Sequence, residues 1–208
     1  MDKYDKHIMV IPRDQLFESG HFEGFRHNHE TDYESRILEH FTYMKRGLAE
    51  KDPGYKQPIG YALVINPKLK KVFSFMRSEQ GDEGLLFNKW SWGVGGHIDK
   101  TEENENNPIY SSLLREFNEE VYTNGTVKNI KALGYINEED DASSVHFGIL
   151  YVIETDATEV NPKDKEIDIG KLMSLDEIEE ICSSPEHNVE GWSMIALDPL
   201  KKYLEELV

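Results

Sequence analysis

Apolar positions fall in short runs whose spacing alternates between strand and helix periods. Ile8-Met9-Val10-Ile11 is a continuous apolar run stopped by Pro12, which predicts a strand over residues 7–12. Thr31-Asp32 then precedes Tyr33, Ile37, Leu38 and Phe41, a capped helix with one apolar side. Asp52-Pro53-Gly54 is a turn. Gly60–Ile65 and Val72–Met76, rich in β-branched and aromatic residues, flank Asn66-Pro67 and predict two strands about a turn. A polar stretch over 99–107 follows the glycine pair Gly95-Gly96. Asn107-Pro108 then predicts a helix start, with Leu113, Leu114, Phe117 and Val121 on its apolar side. That helix is expected to reach Tyr122 and to end at Asn124-Gly125. Strands are expected over 127–136 and 145–153, one helix opening at Ser174, and a last helix over Pro199–Leu207. Strands around a few amphipathic helices predict a layered α/β domain. Residues 1–56 hold too few apolar positions for an independent fold and are expected to be an N-terminal extension packed on a domain of residues 57–208.

Composition narrows the function. The 208 residues carry 40 acids against 23 lysines and arginines, a formal net charge of -17. Such a surface should not hold a nucleic-acid polymer by its phosphates, nor an anionic membrane. A small phosphorylated substrate stays open, because a metal ion screens its site locally. One cysteine, Cys182, cannot form an internal disulfide. The charged N-terminus has no signal-peptide pattern, and no run reaches the roughly 20 apolar residues of a membrane helix. A cytoplasmic protein is expected.

The chemistry gathers after the glycine pair. Glu116 and Glu120 are four apart and Glu119 lies beside them, so three carboxylates crowd one helical patch. A hard divalent cation with oxygen ligands would relieve their repulsion. The plainer reading is a solvated acidic face. His21, His27 and His29 have no tight zinc spacing and read as loop histidines. Trp90 and Trp92 read as core or wall aromatics, and His146, flanked by apolar residues, as a core or wall histidine. Glu138, Glu139, Asp140, Asp141 and Glu166 are further acids, each expected to be solvated when taken alone.

Gly96, five residues, Glu102, then Arg115-Glu116-Phe117-Asn118-Glu119-Glu120 resembles the Nudix box, G-x5-E-x7-R-E-U-x-E-E-x-G-U with U a bulky apolar residue. Tyr55-Lys56-Gln57-Pro58, Trp90-Ser91-Trp92-Gly93-Val94-Gly95-Gly96-His97-Ile98 and Val145-His146-Phe147-Gly148 resemble landmarks of a MutT-like phosphoesterase group within that family. There are three departures. Twelve residues separate Glu102 from Arg115 where the pattern has seven, Tyr122 stands in place of a glycine, and Val94 in place of a common proline. The longer loop is inexpensive, since closure entropy grows slowly with length, but it makes Glu102 the least secure member of the set.

The resemblance implies an α/β/α sandwich with a mixed β-sheet. It implies hydrolysis of a nucleoside diphosphate linked to another moiety, with Mg²⁺ or Mn²⁺ held by Gly96, Glu116, Glu119 and Glu120. Glu116 or a glutamate from a later loop, such as Glu166, would take a proton from water. Arg115 would pair with Glu102, and Arg77, at the end of its strand, would meet phosphate. The extension would supply part of the pocket or a homodimer surface. Two other readings use the same fold: a nucleotide sensor with little catalysis, and an isopentenyl-diphosphate isomerase-like enzyme. The second needs a pocket cysteine, and Cys182 lies in the C-terminal helix region.

Overall fold

The computed structural model describes residues 2–77, 88–102, 105–140, 144–163 and 167–207. It is mixed α/β and divides into two compact units. The first comprises Met1–Tyr61, Gly95–Glu116 and Ala132–Leu150, the second Ala62–Val94, Phe117–Lys131 and Tyr151–Val208.

In the first unit, β1 (His7–Pro12) buries Ile8, Met9, Val10 and Ile11. It pairs antiparallel with β3 (Thr42–Lys45) and, at Ile11↔Lys56, with the start of β4 (Tyr55–Asn66). The run is apolar throughout rather than alternating because all four residues are covered. Pro12, in register with Tyr55, is the last residue of the strand and has no N–H to donate to the ladder, and α1 (Arg13–Leu16) follows. Helix α2 (Tyr33–His40) begins where the sequence predicts, the Asp32 carboxylate accepting from the Ser35 N–H at 3.0 Å. That bond satisfies one orphan donor of the first turn. Then α3 (Arg46–Ala49) leads to β4.

The N-terminal stretch shares a core with residues 132–150. Tyr33, fully buried, meets Tyr135 at 5.0 Å and Phe147 at 5.4 Å between ring centroids, in the edge-on and tilted geometries aromatic quadrupoles favour. Strand β2 (Gly24–His27) pairs antiparallel with the end of β9 (Val127–Asn137), from Gly24↔Asn137 to His27↔Gly134. Helix α4 (Pro108–Glu120) lies against β4 at Gly60, whose missing side chain leaves room for Leu113. Asn107 caps it as expected, accepting from Tyr110 N–H at 3.0 Å.

In the second unit, β5 (Lys71–Arg77) pairs with the end of β4, with β6 (Lys89–Ser91) and with β12 (Ile167–Ser174), all antiparallel. The end of β4 also pairs with β7 (Gly93–Val94), and β13 (Asn188–Val189) runs parallel to β6, so the sheet is mixed. The Asn66-Pro67 turn is held by Asn66, whose side-chain oxygen accepts from Leu69 N–H at 2.9 Å. Strand β10 (His146–Thr155) contributes residues to both units. Helix α5 (Leu175–Ser183) opens with a capping box of Ser174 and Glu177.

Some boundaries differ from expectation: β4 begins at Tyr55, five residues before the predicted Gly60. Helix α4 ends at Glu120, not Tyr122, because Val121–Thr123 is a strand, β8, paired antiparallel with β11 (Val160–Pro162). Lys163 finishes the helix instead of Asn124-Gly125. Its N–H donates to the Glu120 carbonyl at 2.7 Å and its ammonium to the Asn118 carbonyl at 2.8 Å. The last helix, α6 (Gly191–Glu206), starts eight residues before Pro199 and carries the proline inside. An interior proline costs about 3 kcal/mol, but Trp192, Ala196, Leu200, Tyr203 and Leu204 are all buried along one helix, and that burial outweighs it. Trp92, fully buried, donates from Nε1 to the Ser193 carbonyl at 2.8 Å, and so is a core aromatic.

Candidate active site

The site starts from a close approach of backbone to carboxylate. A Cβ on Gly96 would run into the Glu116 carboxylate, and one on Gly95 would run into the Gly60 carbonyl oxygen. The glycine pair is therefore required by space: it lets the turn lie against β4 on one side and Glu116 on the other. The turn is tied to its neighbours by backbone bonds, Met9 N–H to the Ile98 carbonyl at 2.8 Å and a bridge between Ile59 and His97.

Arg115 organises the polar groups. Its Nε donates to Glu102 Oε1 at 2.9 Å, its Nη1 to Glu116 Oε1 at 2.6 Å and its Nη2 to the His97 carbonyl at 3.0 Å. The planar guanidinium can serve three acceptors at once in a way a lysine could not. Burial works against its charge, but the Glu102 hydrogen bond and the Glu116 charge hold its pKa above the ordinary arginine value. Glu102 is 7% exposed and its second oxygen accepts from Asp99 N–H at 2.9 Å. Glu102 keeps its place against Arg115 despite the longer loop. The short 3-10 turn Lys100–Glu102 folds the acid back, so the extra loop length falls after it.

Within the first unit, Gly96, Glu102, Arg115 and Glu116 are thus brought together. Glu119 and Glu120 continue the same helix, the first exposed and the second half-buried. Arg77 ends β5 with its guanidinium 5.5 Å from the Phe75 ring centroid. Cys182 is half-buried on α5, where burial pushes its thiol pKa up. Asp141 and Glu166 lie outside the described residues.

Other side chains surround the turn that spacing along the chain did not single out. His97 Nε2 lies 2.6 Å from Gln57 Oε1, and its ring stands 5.5 Å from that of His146. Burial first, then the nearby positive charge of Arg46, pushes the His97 pKa well below the ordinary histidine value, so the ring is neutral. Glu139 is half-buried and is not a lone surface acid. It pairs with Arg13 at 2.7 Å, His21 at 3.0 Å and the fully buried Lys56 at 3.1 Å. Burial raises its pKa, but hydrogen bonds from Arg13, His21 and Asn137 outweigh that and bring it down to about 2. Burial lowers the Lys56 pKa against the pull of Glu139. His21 therefore belongs to the polar cluster around Glu139, and the His27 ring lies tilted against that of His29 at 4.1 Å.

Among the described residues, no helix is long and apolar enough to cross a membrane. No protein-family model matches the chain. It is 33% identical over 213 residues to Protein YmaB of Bacillus subtilis (strain 168), an alignment covering 97% of this chain and all of that protein. Its structure superposes on that of Tm1382, assigned as a Nudix hydrolase, with a TM-score of 0.77 and 26% identity, covering 95% of this chain and 100% of the other. The Nudix domain of Shewanella oneidensis NrtR, solved with ADP ribose, shares the fold at a TM-score of 0.54 and 16% identity, covering 72% of this chain and 88% of that one. With the glycine turn seated on Glu116 and the box arginine joined to its loop glutamate, these likenesses show that the chain belongs to the Nudix (MutT-like) hydrolase family.

Proposed function

We propose that this Nudix hydrolase cleaves the pyrophosphate bond of a nucleoside diphosphate linked to another moiety, in a reaction that depends on Mg²⁺ or Mn²⁺. The observation that carries the reading is the seating of the Gly96 backbone on the Glu116 carboxylate, with Arg115 gripping Glu116, Glu102 and the His97 carbonyl together. The donor set of the Gly96 carbonyl, Glu116, Glu119 and Glu120 is all oxygen, and so fits a hard divalent ion. When bound, such an ion polarises the phosphoryl oxygens and acidifies a coordinated water.

The chain's own residues do the rest. Arg115 fixes the Glu116 carboxylate against the turn, so that acid is presented in one orientation and costs no reorganisation during reaction. Glu116 accepts the proton of the attacking water, with Glu166 as the other candidate. Glu102 acts through Arg115, as a positioning residue. Arg77 contacts a phosphate of the substrate. Residues 1–56 are an extension of a 57–208 catalytic domain and supply part of the pocket or a homodimer surface.

The test is a screen of ADP-ribose, dinucleotide polyphosphates, nucleoside triphosphates, nucleotide sugars, NADH and CoA with Mg²⁺ or Mn²⁺, separating inorganic phosphate from nucleoside monophosphate as product. ADP-ribose comes first because a fold neighbour was solved with it. Turnover that needs the ion and releases a nucleoside monophosphate supports the proposal. Tight ligand binding without turnover in either metal would favour the sensor reading instead.

A further inference from the structure

Three side chains far apart in sequence meet beside the glycine turn. One ligand atom each from Glu50, His97 and His146 lies within 4.8 Å of the other two. Glu50 caps the end of α3, His97 follows the glycine pair, and His146 opens β10. We propose that these three residues form a second metal site, distinct in position and chemistry from the acids of α4, that takes a divalent transition ion of the zinc class.

The donor set selects the ion. Two imidazole nitrogens and one carboxylate oxygen suit zinc and its neighbours, whereas Mg²⁺ favours oxygen alone and keeps its waters. In tetrahedral geometry with bonds of about 2.0–2.1 Å, ligand atoms stand roughly 3.3–3.5 Å apart. A spread of up to 4.8 Å closes to that by small side-chain rotations. Three protein ligands leave a fourth position for water, the arrangement of an open site rather than a closed structural one.

The surroundings have the features of an outer shell. Gln57 Oε1 can only accept, so its 2.6 Å contact requires the hydrogen on His97 Nε2 and leaves Nδ1 with its lone pair. A ligand histidine held this way by a carbonyl oxygen is the usual arrangement around a bound metal. The Gln57 amide nitrogen is buried and has no partner among the described residues, so what fixes the amide is the contact with His97. Arg46 Nε donates to Glu50 Oε1 at 2.9 Å and steadies the carboxylate while its other oxygen stays available. All three residues are half-buried. Arg115 holds the carbonyl of His97 as well as Glu116, so both sites hang from one stretch of backbone.

The experiment is titration of the metal-stripped full-length chain with ZnCl₂ by calorimetry, repeated with CoCl₂ while recording visible absorption, which separates a four-coordinate site from an octahedral oxygen site. Wild type, His146→Ala, Glu50→Gln and the Glu119→Gln/Glu120→Gln double variant are compared. The expected result is one tight zinc-binding event, with the same cobalt spectrum, in both wild type and the double variant; any weaker binding to the acids of α4 is lost from the double variant only. His146→Ala should lose that spectrum and bind zinc at least tenfold more weakly, and Glu50→Gln should weaken it to a similar degree while melting like wild type. An unchanged affinity and spectrum in both His146→Ala and Glu50→Gln overturns the site. Loss of the tight event in the Glu119→Gln/Glu120→Gln variant alone also overturns it, by assigning the ion to the acidic helix. Because the readout is binding and absorption, it stands whether or not the chain hydrolyses any nucleotide.

Discussion

Arg115 Nε donates to Glu102 Oε1 at 2.9 Å, and that bond joins the two ends of the segment in which this chain departs most from its family's pattern. The extra residues lengthen the loop without moving its anchor. A charge-assisted bond between half-buried and buried partners is worth about 1.5–3 kcal/mol. Glu102→Gln is therefore expected to lower the melting temperature by roughly 3–10 °C for a chain of this size. It should also reduce turnover less than a change in Glu116 does, since Glu102 acts through Arg115. Differential scanning calorimetry and steady-state kinetics on the two variants check the order. A Glu102→Gln variant that melts like wild type would show the pair to be ornamental.

The two glycines of the turn separate stability from catalysis. A Cβ at position 95 meets a backbone oxygen that cannot step aside, so Gly95→Ala is expected to cost about 1–3 kcal/mol. A Cβ at position 96 meets the far end of a side chain, which can swing away by giving up its bond to Arg115 without moving the backbone. That swing misplaces the Glu116 carboxylate by an ångström or more, and such a displacement lowers turnover about 10²-fold. Paired melts and rates for the two alanine variants should show opposite profiles.

Glu119 and Glu120 test the metal-dependent reading. Glu119 is exposed and Glu120 half-buried. Glutamine keeps the length and hydrogen-bonding capacity of glutamate and removes only its charge, so either substitution should change turnover far more than stability. If their carboxylates hold the catalytic ion, each variant loses Mg²⁺-dependent hydrolysis while its melt is unchanged. Two variants that hydrolyse as fast as wild type would end the assignment.

What could be seen in the sequence followed from local rules. Asp32 as a cap, the Asn66-Pro67 turn and the apolar run of β1 each depend on neighbours within four residues. The helix end at Glu120 and the interior Pro199 depend instead on partners far along the chain: β11 claims the backbone of Val121–Thr123, and the covered side chains of α6 outweigh proline's cost. The site divides the same way. The Arg-Glu-x-x-Glu-Glu segment is legible because a helix places its acids by period. Glu50, His97 and His146 have no period in common, and only the fold brings them within reach. Glu139, read alone, resembles any surface acid, because nothing near it in sequence shows that Lys56 is buried against it.

That buried lysine leads to a prediction in pH. The folded-state pKa of Glu139 is depressed to about 2 from an ordinary 4.5. Its contribution to stability is therefore complete above about pH 4.5 and is lost as pH falls from there through about 2. Glu139→Gln should remove this part of the acid-unfolding profile, and it should destabilise the chain at neutral pH as well. Lys56 is fully buried, and without Glu139 its ammonium keeps the Ser144 carbonyl at 2.6 Å but loses its counter-charge. Breaking such a pair from one side costs about 3 kcal/mol or more, while replacing the buried charge by an apolar chain of similar length is often neutral. The Lys56→Met/Glu139→Gln double variant should then recover much of the stability that Glu139→Gln loses. Denaturant unfolding of wild type, the two single variants and the double variant at pH 7 and pH 4 closes the cycle. A double variant that is the sum of its singles would mean the two charges do not sense one another.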